Sequence, residues 1–141
     1  MTDSSFTLLA LRRRIAALDQ VQRVEEGGML VTGHAGLDAA LGGGLAKGRL
    51  HEMFGAQAED AGGPTGFALL LGLLSGASDA RPLLWLRTVG AERGGGRLYG
   101  PGLAALGLNP AHLLLGVMRD EAMLLRAAVD GVRCAGLAAV V

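Results

Sequence analysis

The sequence predicts an α/β fold in which helices flank a parallel β-sheet. Strand-like apolar runs at 83–86, 113–117 and 137–141 alternate with segments of helical periodicity. Strands and helices that alternate at this spacing form βαβ units. The run at 83–86 (LLWL) is continuously apolar, which is typical of a strand covered on both faces of its sheet.

The composition indicates a globular chain of one-domain length. Its 141 residues are 50% hydrophobic and 18% charged but only 4% aromatic, so aliphatic side chains must build most of the core. Lys plus Arg (13) equals Asp plus Glu (13), and this balance gives no indication of a strongly positive nucleic-acid-binding field. One cysteine and no visible signal peptide or membrane-length apolar run predict a cytoplasmic protein without a membrane span.

Residues 1–28 are predicted to form an N-terminal amphipathic helix, and residues 29–141 the core domain. Apolar residues recur at spacings of three and four, which places them on one helix face. Three consecutive arginines lie beside them, and two interpretations stay open: a solvated face, or a basic contact to DNA or an acidic partner. The candidate partner-binding residues are Leu8, Leu11, Arg12, Arg13, Arg14, Ile15 and Leu18.

The stretch 31–54 predicts a short helix followed by a strand. Thr32 is expected to cap the helix, which carries Leu37, Ala40 and Leu41, and the glycines at 42–44 to end it. The strand is expected around Arg49–Phe54. Glu52 would lie inside that strand, where either a structural ion pair or a functional role would account for its charge.

A glycine-rich loop, Gly55 to Gly66, comes next, and a helix is predicted from Thr65 to Gly76. A strand, a glycine loop and a helix in this order are typical of a phosphate-binding loop. A working loop reads Gly-Lys-Ser/Thr at the helix entrance, but this one reads Gly63-Pro64-Thr65, and Glu59 and Asp60 add negative charge. The candidate, degenerate phosphate-loop positions are Gly55, Gly63, Pro64 and Thr65.

The C-terminal half predicts two more helices. Residues 90–102 are expected to be an irregular loop, in which Arg93 and Arg97 either contact nucleic acid or belong to a mobile connection. A short helix is predicted at 103–108. A longer helix, capped by Asp120, is predicted to run through Arg133. Its expected core-facing residues are Met123, Leu124, Ala127, Ala128 and Val132.

Few other residues indicate chemistry. The histidines His34, His51 and His112 are scattered and have no second ligand at helical spacing, so no metal site is predicted. Cys134 is either a small buried residue or, beside Arg133, a somewhat activated thiol.

Two segments carry a family resemblance. Between Thr32 and Gly55 the chain reads TG…LD-x-AL-GGGL-x-x-GR-x-x-E-x-x-G, which resembles the segment that precedes the phosphate loop of RecA-type ATPases. The run LYGPGLAALGLNPAHLLL, residues 98–115, closely resembles the ImuA family, RecA-like accessory proteins of the bacterial mutagenesis cassette.

The resemblance implies an incomplete RecA-like core of the P-loop NTPase type. The strands would follow the spatial order 113, 83, 137, 50, with the last strand central. The acidic residue of the Walker B strand would come just after Val141, so the chain is expected to be shortened at its C-terminus. Where the family's ATPases carry a catalytic glutamate, this chain reads Arg87-Thr88-Val89.

The resemblance also implies a function: a non-catalytic adaptor in SOS-induced, error-prone translesion DNA synthesis. The implied partners are an ImuB-like polymerase subunit, an error-prone replicative-type polymerase and RecA, with DNA contact left open. No cofactor is expected, and weak binding of ATP with Mg²⁺ is disfavoured. The alternatives are an ATP-dependent RecA-type recombination or repair ATPase and an SOS-linked cell-division inhibitor.

Overall fold

The computed structural model describes residues 10–11, 13–14, 28–57, 60, 62–76 and 81–141. Contacts divide the chain into two compact units, with the boundary between Glu52 and Met53. Each unit has its own sheet.

The first unit contains a small antiparallel pair of strands that the sequence did not predict. Strand β1 (Met29–Leu30) pairs with β2 (Leu45–Ala46), and helix α1 (Ala35–Ala40) lies between them in the chain. Gly44 permits the pairing because its φ is +121° and a Cβ at this position would collide with the backbone carbonyl of Leu30. Only glycine adopts this conformation at low cost.

The predicted helix in this unit exists, but its cap is a different residue. His34 is the N-cap, and its Nδ1 accepts the backbone N–H of Leu37 at 3.1 Å. Thr32 instead donates its N–H (2.9 Å) and its hydroxyl (2.8 Å) to Oδ1 of Asp38. The glycines after the helix do end it, since Gly42 has a φ of +72°.

The strand predicted at Arg49–Phe54 is wrong. Residues 50–55 are irregular, and the side chains of Leu50 and Phe54 are 89% and 84% exposed. A strand is stable only when its backbone pairs with a neighbour, and this apolar run forms no ladder. Glu52 is therefore an exposed residue of an irregular segment, not a charge within a strand.

The second unit is the α/β body. Its elements in chain order are α2 (Gly62–Gly76), β3 (Leu83–Thr88), α3 (Val89–Gly95), α4 (Gly100–Ala105), a 3₁₀ turn (Pro110–His112), β4 (Leu113–Met118), α5 (Glu121–Arg133) and β5 (Ala139–Val140).

The sheet of this unit is parallel, with the order β4-β3-β5. This confirms the predicted order of the strands at 113, 83 and 137. The last strand was predicted to be central, and that is wrong: β5 lies at an edge of the described sheet, because the fourth strand expected beside it does not form. Backbone bonds from Leu86 N to Val141 O (2.7 Å) and from Val141 N to Leu84 O (2.8 Å) extend its pairing with β3.

Helices cover both faces of β3. Consecutive side chains of a strand point to opposite faces, and a Cβ added at Gly72 of α2 would lie 2.8 Å from Leu83, whereas one added at Gly131 of α5 would lie 2.8 Å from Leu84. The two helices therefore pack on opposite faces through glycines. The core cluster consists of Leu69, Leu83, Trp85, Leu103 and Leu108.

The capping of α5 is confirmed, since Oδ1 of Asp120 accepts the N–H of Met123 at 2.8 Å. Its predicted core face is partly wrong. Met123 and Val132 are 45% and 72% exposed, while the other three predicted residues (Leu124, Ala127, Ala128) are half-buried. The helix packs on the sheet through buried Gly131. The face of α5 that contacts the sheet is therefore centred on different residues from those predicted.

The irregular loop predicted at 90–102 is wrong, because α3 and the start of α4 occupy it. Thr88 caps α3 by accepting the N–H of Ala91 (3.1 Å), and the Arg87 guanidinium donates to the Ala91 carbonyl (2.7 Å).

Cys134 is exposed at the end of α5, so the buried interpretation is also wrong. No helix in the described part of the chain is long and apolar enough to cross a bilayer.

Candidate functional site

The glycine loop contains a tight turn closed by its own carboxylate. The backbone N–H of Asp60 donates to the carbonyl of Gln57 (3.1 Å), and the N–H of Gln57 donates back to Oδ2 of Asp60 (3.2 Å). A side chain on Gly55 would be tight here, with its Cβ 3.0 Å from Cβ of Asp60. The turn thus uses an acidic side chain of the protein to bind a loop amide.

Helix α2 begins at Gly62, three residues before the start predicted from the sequence. Pro64 is the third residue of the helix, where the backbone N–H has no intrahelical acceptor. The missing donor of Pro64 therefore costs the helix nothing. Thr65 follows it and is exposed.

An open cavity of about 760 Å³ lies over the loop and the first turn of α2. Its floor and walls are glycines and apolar side chains, and most of these residues are solvent-exposed. The lining residues are Met53, Phe54, Gly55, Ala56, Asp60, Gly62, Gly63, Pro64 and Phe67.

The electrostatics of this cavity are opposite to those of a phosphate site. Asp60 is the one charged residue among the described residues that line it, and a proline stands where the phosphate-loop lysine would supply its positive charge. Two like charges about 4 Å apart repel by roughly 1–4 kcal/mol in a solvated setting. The cavity is therefore poorly suited to a triphosphate.

The structure brings together most of the predicted loop positions. Gly55, Gly63 and Pro64 line the same cavity, whereas Thr65 lies next to it in α2 and does not contribute to the lining. Their role in binding stays a prediction.

Sequence reasoning missed the two aromatic side chains of the cavity. Phe54 was expected in a strand and Phe67 in the apolar run of a helix, yet they are 84% and 38% exposed. The chain has only three phenylalanines, so two beside one glycine loop form a pattern. That clustering, in a chain poor in aromatics, was the signal in the sequence.

The candidate partner-binding helix is only partly covered by the structure. Leu11, Arg13 and Arg14 are helical and exposed, and Leu11 is 53% exposed. The remaining candidates lie outside the described residues: Leu8, Arg12, Ile15 and Leu18. Exposure is compatible with partner binding and with a solvated face, so both interpretations remain.

The two arginines of the predicted 90–102 loop lie in and just after α3. Oε1 of Glu92 lies 4.0 Å from Nε of Arg97, whose side chain is 90% exposed. Arg93 is also exposed, in the last turn of the helix. Among the residues that the structure describes, no three metal-binding side chains gather into a cluster.

The polar residues of the lead-in to the loop have a structural role. Asp38 accepts the N–H and hydroxyl of Thr32 and, at 3.2 Å, the N–H of Gly33. The hydrogen bond from the backbone N–H of Thr32 is the main cause that lowers the pKa of Asp38 below its ordinary 3.8. The Thr-Gly…Asp pattern is thus explained by one local network.

Comparison with known proteins gives one family. No protein-family model matches the chain, and no solved structure matches it. The proteins named "Protein ImuA" of two strains of Caulobacter vibrioides are each 36% identical to it over 102 residues, 71% of this chain. The match spans 39% of the length of those relatives. Over this matched region, the chain belongs to the ImuA family.

Proposed function

We propose that this chain is a non-catalytic, RecA-like adaptor in SOS-induced, error-prone translesion DNA synthesis, acting in the cytoplasm through protein contacts. The observation that carries the non-catalytic part is the Asp60 turn. A carboxylate of the protein accepts a loop N–H (3.2 Å) in the segment where a phosphate loop offers its amides to the nucleotide.

Two further features support the same proposal. Pro64 supplies neither the cation nor the amide of a phosphate-loop lysine, yet it is accommodated in the first turn of α2. After β3, where a catalytic glutamate is expected in a RecA-type ATPase, Thr88 is engaged as a helix cap. Each position serves the local fold.

The proposed partners follow from the family: an ImuB-like polymerase subunit, an error-prone replicative-type polymerase and RecA. The balanced net charge of zero favours protein contacts over a broad DNA interface. Pull-downs with and without DNA distinguish DNA contact through the N-terminal arginines from protein contact.

The test of the proposal is a complementation experiment. Deletion of the gene should lower the frequency of DNA-damage-induced mutations, and the wild-type chain should restore it. Thr65→Ala should restore it equally well, because the hydroxyl at the metal-ligand position of an ATPase has no catalytic role here. A folded Thr65→Ala protein that fails to restore mutagenesis, together with loss of nucleotide turnover, would contradict the proposal.

The N-terminal helix is the proposed partner-binding surface. Leu11→Asp places a charge on its apolar face, and Arg13→Glu reverses the charge of an exposed base. We expect either substitution to weaken capture of the polymerase subunit or RecA by roughly fivefold or more. Pull-downs with purified partners measure this, with Arg119→Glu, an exposed arginine of the second unit, as the matched control. If both helix variants capture the partners as well as the wild type does, this surface is not the partner-binding site. If the variants lose capture only when DNA is present, the surface contacts DNA and not the partner protein.

A further inference from the structure

The glycine-loop cavity is suited to a ligand other than a nucleotide. The chain has three phenylalanines, and two of them, Phe54 and Phe67, lie exposed in this one cavity. Aromatic side chains contribute much of the affinity at protein interfaces because they bury a large apolar area with few rotatable bonds. Two exposed rings beside Met53 and Pro64 provide such an anchor point.

The charge of the cavity narrows the class of ligand. Asp60 lies among the apolar lining, and no lysine or arginine is among the lining residues that the structure describes. Phosphate groups and nucleic-acid backbones would be repelled, while a cation next to an apolar group would be attracted. In the sequence, Glu59 directly precedes Asp60 and adds to the negative charge of the loop.

The shape of the cavity indicates a side chain presented by another protein. At about 760 Å³ it falls within the usual range for ligand sites, but its lining is mostly solvent-exposed. An open cavity of this kind holds one or two side chains of a peptide better than it encloses a small molecule.

We propose that this cavity docks a basic-apolar peptide segment of a partner protein, with a large apolar side chain between Phe54 and Phe67 and a neighbouring Lys or Arg on Asp60. The inference rests on the proposed adaptor function and assigns a second contact surface to it. The degenerate loop would thereby have changed its ligand from an anion to a cation-flanked apolar group.

The cavity can be tested directly with synthetic peptides. The probes are fluorescein-labelled hexapeptides with a central Leu or Trp flanked by Lys residues, and otherwise identical peptides flanked by Glu. Fluorescence anisotropy on the full chain should show saturable binding of the Lys-flanked peptides, roughly tenfold tighter than of the Glu-flanked ones. Equal binding of the two sets, or no saturable binding of either, would overturn the proposal.

Substitutions in the cavity identify where the peptide binds. Phe54→Ala should weaken binding roughly tenfold, and Asp60→Asn, whose amide oxygen can still accept the N–H of Gln57, should remove the preference for Lys-flanked over Glu-flanked peptides. Gly63→Leu should fill the cavity and block it, because a Cβ on Gly63 has no atom within 4 Å. The matched control is Gly94→Leu in α3, where a Cβ also meets nothing within 4 Å and which lies outside the cavity. Binding that survives both Phe54→Ala and Gly63→Leu would place the peptide elsewhere.

One additional titration separates this proposal from the adaptor function on which it rests. A fluorescent ATP analogue with Mg²⁺ is added to the same protein. If neither the analogue nor the peptides bind, the docking proposal fails and the non-catalytic function stands. If the analogue binds saturably and displaces the peptide, and the protein also hydrolyses ATP, the non-catalytic function itself is contradicted.

Discussion

The lead-in segment (residues 28–48) and the glycine loop (residues 55–66) both carry ATPase-like motifs, but they differ in what their residues do in the fold. In the lead-in, the positive φ of Gly44 and the three hydrogen bonds to Asp38 are required by local structure. In the loop, a Cβ on Gly62, Gly63 or Gly66 would meet nothing within 4 Å. The lead-in motif is explained by folding, whereas the local fold does not require glycine at 62, 63 or 66.

Under the proposed function, this difference explains how the chain can resemble ATPases without sharing their chemistry. The lead-in residues Thr32, Asp38 and Gly44 support the strand pair and α1 directly. Loop glycines allow a phosphate to approach the backbone closely, and without phosphate this constraint is gone.

The largest effect is expected at Gly44. Gly44→Ala should destabilise the first unit by about 3 kcal/mol, because it combines a strained φ with a collision at the Leu30 carbonyl. The control is Gly43→Ala, with a φ of +113° and no atom within 4 Å of its Cβ, which has the backbone strain without the collision and should cost about 1 kcal/mol. Hydrogen exchange of the Lys47 amide, bonded to Gly28 (3.0 Å), reports on this unit. Equal loss of protection in both variants would show that the collision has no energetic importance.

The Asp38 network should make the first unit sensitive to acid. The pKa of Asp38 is lowered in the folded chain, so its carboxylate stabilises the fold above the unfolded-state pKa of about 3.8. That contribution is lost as the pH falls through the lower, folded-state pKa. The same Lys47 amide, compared at pH 5 and pH 3, should lose protection in the wild type. Asp38→Asn should be less protected at pH 5 and show a smaller change between the two pH values; an identical pH response would contradict the network.

The smallest effect, and one of opposite sign, is expected in the loop. Gly62→Ala should raise the stability of the second unit by about 0.5 kcal/mol, since alanine favours helix and nothing obstructs its Cβ. Urea unfolding followed by the fluorescence of Trp85, which is in the core of this unit, measures the change. A clear loss of stability would mean that the loop glycines are structurally required, as Gly44 is.

The apolar runs were sufficient to predict the three strands of the second unit's sheet, and the family resemblance supplied their relative order. The LLWL run and the Asp120 cap are local signals, and local signals determine β3 and the start of α5. The sequence was insufficient where a segment's secondary structure depends on contact with another part of the fold. The apolar residues Leu50, Met53 and Phe54 suggested a strand, but no neighbouring backbone among the described residues pairs with this segment.

The remaining errors have similar causes. Composition favoured a loop at 90–102 because each glycine disfavours helix by about 1 kcal/mol. The Thr88 cap and the Arg87–Ala91 hydrogen bond offset this cost. The cavity was missed because Phe54 and Phe67 are separated in the chain and line it from segments on either side of Asp60.

The most direct test of the central claim is a titration of the full chain with a fluorescent ATP analogue and Mg²⁺. A double variant, Asp60→Asn with Pro64→Lys, removes the competing carboxylate and supplies the missing lysine. We expect no saturable binding to the wild type and measurable binding to the double variant. Saturable, Mg²⁺-dependent binding to the wild type in the micromolar range would contradict the account, because the loop would then still be a nucleotide site.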